Sequence, residues 1–332
     1  MDEMKRSYLL LVLCVFACIS TTASTRAAIM LLHNGNGTTY DNNKLADAIV
    51  GAEHGDTIYL SEGAFDVDTL IINKVVSIIG VGEATKIRGD IHIGIDDNPK
   101  TSNYMFDAVN IQGDVKVIKE LRGLRFRKCK MYTFWASADV SDVAMDRCCI
   151  STLLPVDKIK NAYCSNCYIS SVGYEYSFST QAAYSSAIDT SSKGNDLNFL
   201  NCTILRVYAS TSGGWNVLAK DAAFVNCHIG SCTTYGGENC SFTNTLLGNK
   251  ELNSSCAVHN CYYDTYYLMK DYTEEQLITN GYFGNDGTVV GYMGGSTPYT
   301  LVPSGINVTE SLLKVDLEKK ELNVTLKISA NQ

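Results

Sequence analysis

The sequence predicts an all-β protein folded as a right-handed parallel β-helix, and three observations lead to this prediction. A short motif recurs seven times between residues 126 and 263. Its spacing fits two short strands joined by a one-residue bend, and Asn occupies most of those bends. The composition agrees, because 20 Tyr, only 4 Pro and a hydrophobic share of 45% are typical of an ordered, β-rich chain.

Each copy of the motif has an apolar residue, then Cys three positions later, then another apolar residue five positions after the first. Successive copies are separated by 19, 19, 35, 25, 18 and 16 residues, and one copy has Thr in place of Cys. The copies are Phe126-Cys129-Met131, Met145-Cys148-Ile150, Cys164-Cys167-Ile169, Phe199-Cys202-Ile204, Phe224-Cys227-Ile229, Phe242-Thr245-Leu247 and Val258-Cys261-Tyr263. Coils of this length that pair only with their neighbours form a parallel β-helix.

The spacing of three and then two positions requires a bend, because inward residues of one straight strand alternate strictly. The bend residue is Asn in five copies, and Asn tolerates left-handed backbone geometry better than other non-glycine residues. Stacked Asn side chains are also expected to pass hydrogen bonds from coil to coil. The predicted bends are Lys128, Arg147, Asn166, Asn201, Asn226, Asn244 and Asn260.

The cysteines of the motif fall at one inward position of successive coils. We therefore predict that they are unbridged thiols packed as small apolar residues. Zinc binding by Cys164 and Cys167 beside Cys148 and Cys149 is the alternative, and we discount it because parallel side chains do not converge on one point. No metal or other cofactor is predicted. The six thiols are Cys129, Cys148, Cys167, Cys202, Cys227 and Cys261.

The chain divides into four predicted segments. Residues 1–23 resemble an export signal, with Lys5 and Arg6 before a ten-residue apolar run that is too short to span a bilayer. A lipoprotein signal is the minority alternative, because Cys18 follows a partial lipobox. Residues 24–41 are a lead-in, residues 42–295 the β-helix, and residues 296–332 a tail whose alternating apolar residues predict a β-hairpin.

The start of the β-helix carries a family resemblance. A predicted helix over residues 43–51 is followed by the segment GDTIYL at residues 55–60 and by IIG at residues 78–80. This order resembles the opening of the pectate-lyase-like superfamily, and the chain is most similar to uncharacterised exported β-helix proteins of Bacteroidota. The resemblance covers residues 42–295 and implies the fold alone, because the superfamily includes lyases, hydrolases, adhesins and inactive scaffolds.

No catalytic residue is predicted. The middle coils lack the paired carboxylates that glycoside hydrolysis requires. Asp189, Asp196 and Asp221 are expected to be isolated, with Asp196 inside the long insertion between the third and fourth copies. His228 and His259 are each expected to expose the side chain beside a bend.

Charge limits the choice of partner. A net charge of −8 argues against nucleic acid, because phosphate binding needs a basic surface. The basic run between residues 122 and 130 offers a site for an acidic glycan, but a solvated outer face is the preferred interpretation. The run comprises Arg122, Arg125, Arg127, Lys128 and Lys130.

Aromatic residues supply the candidate ligand-binding positions, because flat rings stack on sugars. Tyr174 and Tyr176 lie in the 35-residue step, Trp215 lies in the 25-residue step, and Trp135 lies between the first two copies. Packing against the core is the alternative, and it is preferred for Trp135. We therefore predict an exported, non-catalytic β-helix that is not membrane-spanning and binds or displays at a surface, with a polysaccharide or cell-surface glycan as partner. A polysaccharide lyase or glycoside hydrolase is the alternative function.

Overall fold

The computed structural model confirms the predicted fold class, a parallel β-helix. It describes residues 28–94, 103–154, 158–172, 196–207, 221–232, 239–248, 252, 254–263, 272–298, 306–316 and 321–330. Two short helices accompany the strands: α1 (Leu45–Gly51) and α2 (Glu274–Thr279). No helix of the described residues is long and apolar enough to cross a membrane.

The described strands number 23, and all but the last two belong to the solenoid. They are β1 (Ala28–His33), β2 (Asn36–Asp41), β3 (Thr57–Leu60), β4 (Gly63–Ile72), β5 (Ser77–Ile93), β6 (Tyr104–Gln112), β7 (Val115–Val117), β8 (Leu121–Arg127), β9 (Lys130–Ala136), β10 (Val140–Asp146), β11 (Cys149–Leu154), β12 (Ile159–Ser165), β13 (Tyr168–Val172), β14 (Leu197–Leu200), β15 (Thr203–Val207), β16 (Ala223–Val225), β17 (His228–Cys232), β18 (Ser241–Thr243), β19 (Leu246–Leu247), β20 (Ala257–His259), β21 (Tyr262–Tyr263), β22 (Ile306–Asp316) and β23 (Glu321–Ala330).

Each predicted bend separates two parallel ladders. All seven bend residues have φ between 49° and 54°, so the predicted left-handed geometry is confirmed. Ala108 adopts the same geometry, with φ of 54°, between Phe106 and Val109. This eighth copy was missed because Val109 stands where the later coils have Cys.

Inward side chains stack along the solenoid to form its core. The Phe199 and Phe224 rings lie 4.8 Å apart between centroids, and the Phe224 and Phe242 rings lie 4.9 Å apart, and the rings of each pair are stacked nearly parallel. Full burial of such a side chain contributes about 1.5–3 kcal/mol. The pairing register that aligns these rings aligns every coil, so the core fixes the register of the outer face as well.

The cysteines at the inward position of the motif, here called the column, form hydrogen bonds in addition to packing in the core. Each buried thiol donates to two backbone carbonyls, one of them two residues earlier in its own coil. Cys167 Sγ, for example, lies 3.2 Å from Ser165 O and 3.4 Å from Met145 O. Thr245 replaces Cys at this position, and its hydroxyl donates to Thr243 O at 2.9 Å. From Cys129 to Thr245 this position therefore holds a small side chain that donates a hydrogen bond, whereas Val109 fills the same position in the preceding coil without one.

The N-terminal end of the solenoid is covered. Strands β1 and β2 form an antiparallel hairpin, and β1 also pairs with β3 at the edge of the first coil. Helix α1 lies beside them and buries Leu45, Ala48 and Ile49. The helix was predicted over residues 43–51 and begins two residues later.

Residues 281–295 form an irregular segment that runs back along the Asn bends, here called the strap. Asn260 Nδ2 donates to Phe283 O at 3.0 Å, and Asn244 Nδ2 donates to Asn285 Oδ1 at 2.9 Å. Asn201 Nδ2 donates to Tyr292 O at 3.1 Å and to Gly294 O at 2.6 Å. The strap therefore takes bonds that were expected to run from Asn to Asn.

The last two Asn bends of the solenoid contact each other directly. Asn260 Nδ2 donates to Asn244 Oδ1 at 3.0 Å, as predicted for stacked Asn side chains. The last coil, formed by β20 and β21, is the least covered of the solenoid, and Val258 is 37% exposed. Strands β22 and β23 form the predicted antiparallel hairpin.

Candidate functional site on the outer face

A second left-handed bend occurs in each middle coil, three residues before the inward residue that starts the motif. It is occupied by short polar residues or Gly: Gly123, Asp142, Asn161, Asp196, Asp221 and Asn239. Of the three acids expected to be isolated, Asp189 lies outside the described residues, and Asp196 and Asp221 occupy equivalent bends in successive coils. Asp196 stands at the start of β14, beside a strand, and its carbonyl accepts from Ala162 N at 3.2 Å.

Between the two bends, outward residues form columns on the face of β8, β10 and β12. Arg125, Ala144 and Tyr163 are in register in three successive coils. Arg125 is exposed, Ala144 is half-buried and Tyr163 is 45% exposed. A cation and an aromatic ring thus flank a small residue, and we call these three residues the Ala144 site.

Carboxylates border the Ala144 site on both sides. Asp142 accepts from Arg122 Nε and from Asn161 Nδ2. These two bonds, together with the charge of Arg122, hold the pKa of the Asp142 carboxyl below its usual value. Asp146 accepts from Ser165 Oγ at 2.8 Å. Both carboxylates are therefore engaged by neighbouring side chains.

The predicted basic run divides into paired and unpaired cations. Arg127 forms a bidentate ion pair with Asp107 of the preceding coil, with Nε 3.0 Å from Oδ1. Lys130 Nζ lies 4.0 Å from Glu83, at the limit of an ion pair. Within the described part of the chain, Arg125 and Lys128 form no ion pair, and both are exposed. Of the basic run, Arg125 and Lys128 are therefore the two cations most available to a ligand.

The structure describes one of the four predicted ligand-binding residues. Tyr174, Tyr176 and Trp215 lie outside the described residues. Trp135 is half-buried on β9, and Lys116 Nζ lies 4.0 Å from the centre of its ring. Trp135 is therefore brought together with a lysine of the neighbouring coil, on a different strand from Tyr163.

The two bend histidines differ. His259 is exposed, as expected. His228 was expected to be exposed and is 3% exposed, because the strap covers it. Its ring stacks on Tyr292 at 5.7 Å and contacts Tyr272 at 6.2 Å. Burial lowers its pKa well below the usual value, so the imidazole is neutral and packs as an apolar ring.

The described residues contain no group of three His, Cys, Asp or Glu side chains positioned to hold a metal ion. The outer face of the described coils presents an exposed aromatic ring, exposed cations and hydrogen-bonding side chains. Sequence reasoning missed Arg125, Ala144 and Tyr163 as a set. The signal was present, because the two 19-residue steps place residues 125, 144 and 163 at one position of successive coils.

No family model, no curated protein and no solved structure matches this chain.

Proposed function

We propose that the protein is an exported, non-catalytic β-helix that binds glycans on its outer face, with the Ala144 site as the contact point. The observation that carries this proposal is the alignment of an exposed Arg125, a small Ala144 and an exposed Tyr163. Sugar rings have apolar faces and polar edges, so an aromatic side chain beside polar groups suits them. The resemblance to the pectate-lyase-like superfamily and the predicted export signal support an extracytoplasmic role.

The dimensions of the site suit one sugar unit. Adjacent coils are about 4.8 Å apart, so the backbones that carry Arg125 and Tyr163 are separated by about 10 Å. The methyl side chain of Ala144 projects only a short distance from the sheet between them. Asp146 and Ser165 lie two residues after Ala144 and Tyr163, respectively. They supply carboxylate and hydroxyl groups for hydrogen bonds to sugar hydroxyls.

The charge of the site favours an acidic glycan. Arg125 can bind a carboxylate through two parallel hydrogen bonds. Lys128 and Arg147 are exposed bend residues that follow β8 and β10, the strands that carry Arg125 and Ala144. They add positive charge beside the Ala144 site. These positive charges lie on a chain whose net charge is −8. Binding of an acidic glycan would therefore depend on direct contacts at the site and not on long-range attraction to the whole protein.

The carboxylates beside the site support binding rather than hydrolysis. A general acid must carry a proton, which requires a raised pKa. Asp142 has a lowered pKa because Arg122 and Asn161 bond to it, so it stays ionised. The alternative function, a polysaccharide lyase or glycoside hydrolase, would need an acid or base that these bonds do not occupy.

A direct binding experiment tests the proposal. Binding of the chain from residue 24 onward to oligogalacturonate and to a neutral glucan of equal length is measured by calorimetry. We expect Tyr163→Ala and Arg125→Ala each to weaken binding of the acidic ligand about tenfold, equivalent to about 1.4 kcal/mol. Tyr132→Ala is the matched control, because Tyr132 is 52% exposed on β9 and should leave affinity unchanged.

Two results would contradict the proposal. Equal affinity of Tyr163→Ala, Tyr132→Ala and the unaltered protein would show that the Ala144 site does not bind the glycan. Release of reducing or unsaturated sugar from the bound ligand would show that the protein is an enzyme.

A further inference from the structure

Two cysteines outside the column lie next to each other near the open end of the solenoid. Cys240 directly precedes β18 and Cys256 directly precedes β20, and these strands are paired with Ser241 opposite Ala257. Ala257 N donates to Cys240 O at 2.8 Å, so the pairing extends to the cysteines. Cys240 is buried and Cys256 is half-buried. Neither forms a disulfide in this structure.

These two thiols differ from those of the column in their accessibility. The column thiols of Cys129 to Cys227 donate to backbone carbonyls at 3.2–3.5 Å, hydrogen-bond to neighbouring thiols of the column, and are 0–2% exposed. The side chains of Cys240 and Cys256 are also hydrogen-bonded to each other, but Cys256 is only half-buried. An oxidant can therefore reach this pair from solvent.

The backbone repeat also changes at this point. Asn239, before Cys240, has the left-handed φ of 56° seen at the second bend of the preceding coils. Ser255, before Cys256, lies outside the left-handed region. The chain therefore enters the two cysteines in different directions. Parallel side chains of a regular stack oppose the near-perpendicular dihedral of a disulfide, and the backbone of this pair departs from the regular stack.

We propose that Cys240 and Cys256 are a site of disulfide formation, oxidised by exchange with a small-molecule or protein disulfide. The Cys256 thiolate attacks one sulfur of the oxidant, which releases one thiol and leaves a mixed disulfide on Cys256. Cys240 then loses its proton and attacks the Cys256 sulfur, which releases the second thiol. The two cysteines are oxidised and one oxidant disulfide is reduced to two thiols.

The environment assigns the order of these steps. Cys256 is accessible, and the hydrogen bond from Cys240 lowers the pKa of its thiol, so it supplies the attacking thiolate. The same hydrogen bond and burial raise the pKa of Cys240, which therefore reacts second. The bond links β18 to β20 and attaches the last coil to the rest of the stack.

The test uses oxidised glutathione as the probe. The chain from residue 24 onward contains 11 cysteines. After incubation with oxidised glutathione, free thiols are alkylated in denaturant and peptides are identified by mass spectrometry. We expect nine alkylated cysteines and one linked peptide pair joining Cys240 to Cys256. Cys256→Ser should lose the linked pair, whereas Cys261→Ser, a matched change in the last coil, should keep it.

Hydrogen exchange provides a second measurement that does not depend on a variant. Reduction of the oxidised protein should decrease amide protection of β20 and β21 about 100-fold, the effect expected for opening a loop of this length. Protection of β8 and β10 should stay constant. A stable glutathione adduct on Cys256, eleven free thiols, or a linked pair within the column would each overturn the proposal.

Discussion

Asn244 connects the strap to two coils, and its replacement separates the contribution of its side chain from that of its backbone geometry. Its Nδ2 donates to Asn285 Oδ1 at 2.9 Å, and its Oδ1 accepts from Asn285 N at 3.1 Å and from Asn260 Nδ2 at 3.0 Å. Gly is the informative substitution because the φ of 49° suits Gly. Asn244→Gly therefore deletes three hydrogen bonds without adding backbone strain.

Lys128→Gly is the matched control. Lys128 has φ of 54° at the equivalent bend and is exposed. Relief of left-handed strain stabilises by about 1–2 kcal/mol, and the greater chain entropy of Gly offsets about 0.5–1 kcal/mol of that. The same entropy cost applies at Asn244, and the strain relieved there is smaller because Asn tolerates left-handed geometry. The three lost hydrogen bonds, at about 0.5–1.5 kcal/mol each, should make Asn244→Gly less stable than Lys128→Gly by about 1.5–4.5 kcal/mol.

Urea unfolding measures both free energies, and hydrogen exchange at Gly291 reports on the strap directly, because Gly291 N donates to Asn244 O at 2.9 Å. We expect faster exchange at Gly291 in Asn244→Gly and unchanged exchange in Lys128→Gly. If the two variants have equal free energies of unfolding, the strap bonds contribute nothing and the bend column is stabilised by backbone geometry alone.

Three further predictions follow from burial and sequence. Thr245→Val should lower the free energy of unfolding by about 1–3 kcal/mol, because Thr243 O loses its hydroxyl donor, while Thr245→Cys should change it by less than about 1 kcal/mol. Because burial lowers the pKa of His228, the unfolded chain binds a proton below about pH 6.5 that the folded chain does not. Stability should therefore fall as pH decreases from 7 to 5, and less so in His228→Phe, as melting curves would show. Intact-mass measurement of the secreted protein should place its N-terminus near Ser24, and a species that retains residues before Ala17 would contradict the predicted signal.

The bends could be predicted from sequence because their physical cause is local. A left-handed residue between two alternating strands leaves a fixed spacing, and Asn marks it in most coils. The same logic should have found the second bend, where Asp142, Asn161 and Asp221 recur three residues before the inward position. It is less conspicuous in the sequence because Gly, Asp and Asn share the position.

The strap could not be predicted in this way. It has no periodic pattern, and its bonds join residues such as Asn201 and Gly294 that are 93 positions apart. The burial of His228 depends on that contact, so it also escaped prediction. Tyr163 was not predicted for a different reason. A surface site on a solenoid is formed by outward residues of several adjacent coils, and one such residue alone does not identify it.

The strap also limits how such a chain can change length during evolution. Solenoids usually grow or shrink by duplication or loss of whole coils, because each coil contacts only its neighbours. Here the strap has a fixed length and contacts the bends at Asn260, Asn244 and Asn201. One coil more or fewer within this interval would shift every later contact by about 4.8 Å. Variation in coil number among relatives should therefore be confined to the part of the solenoid before Asn201.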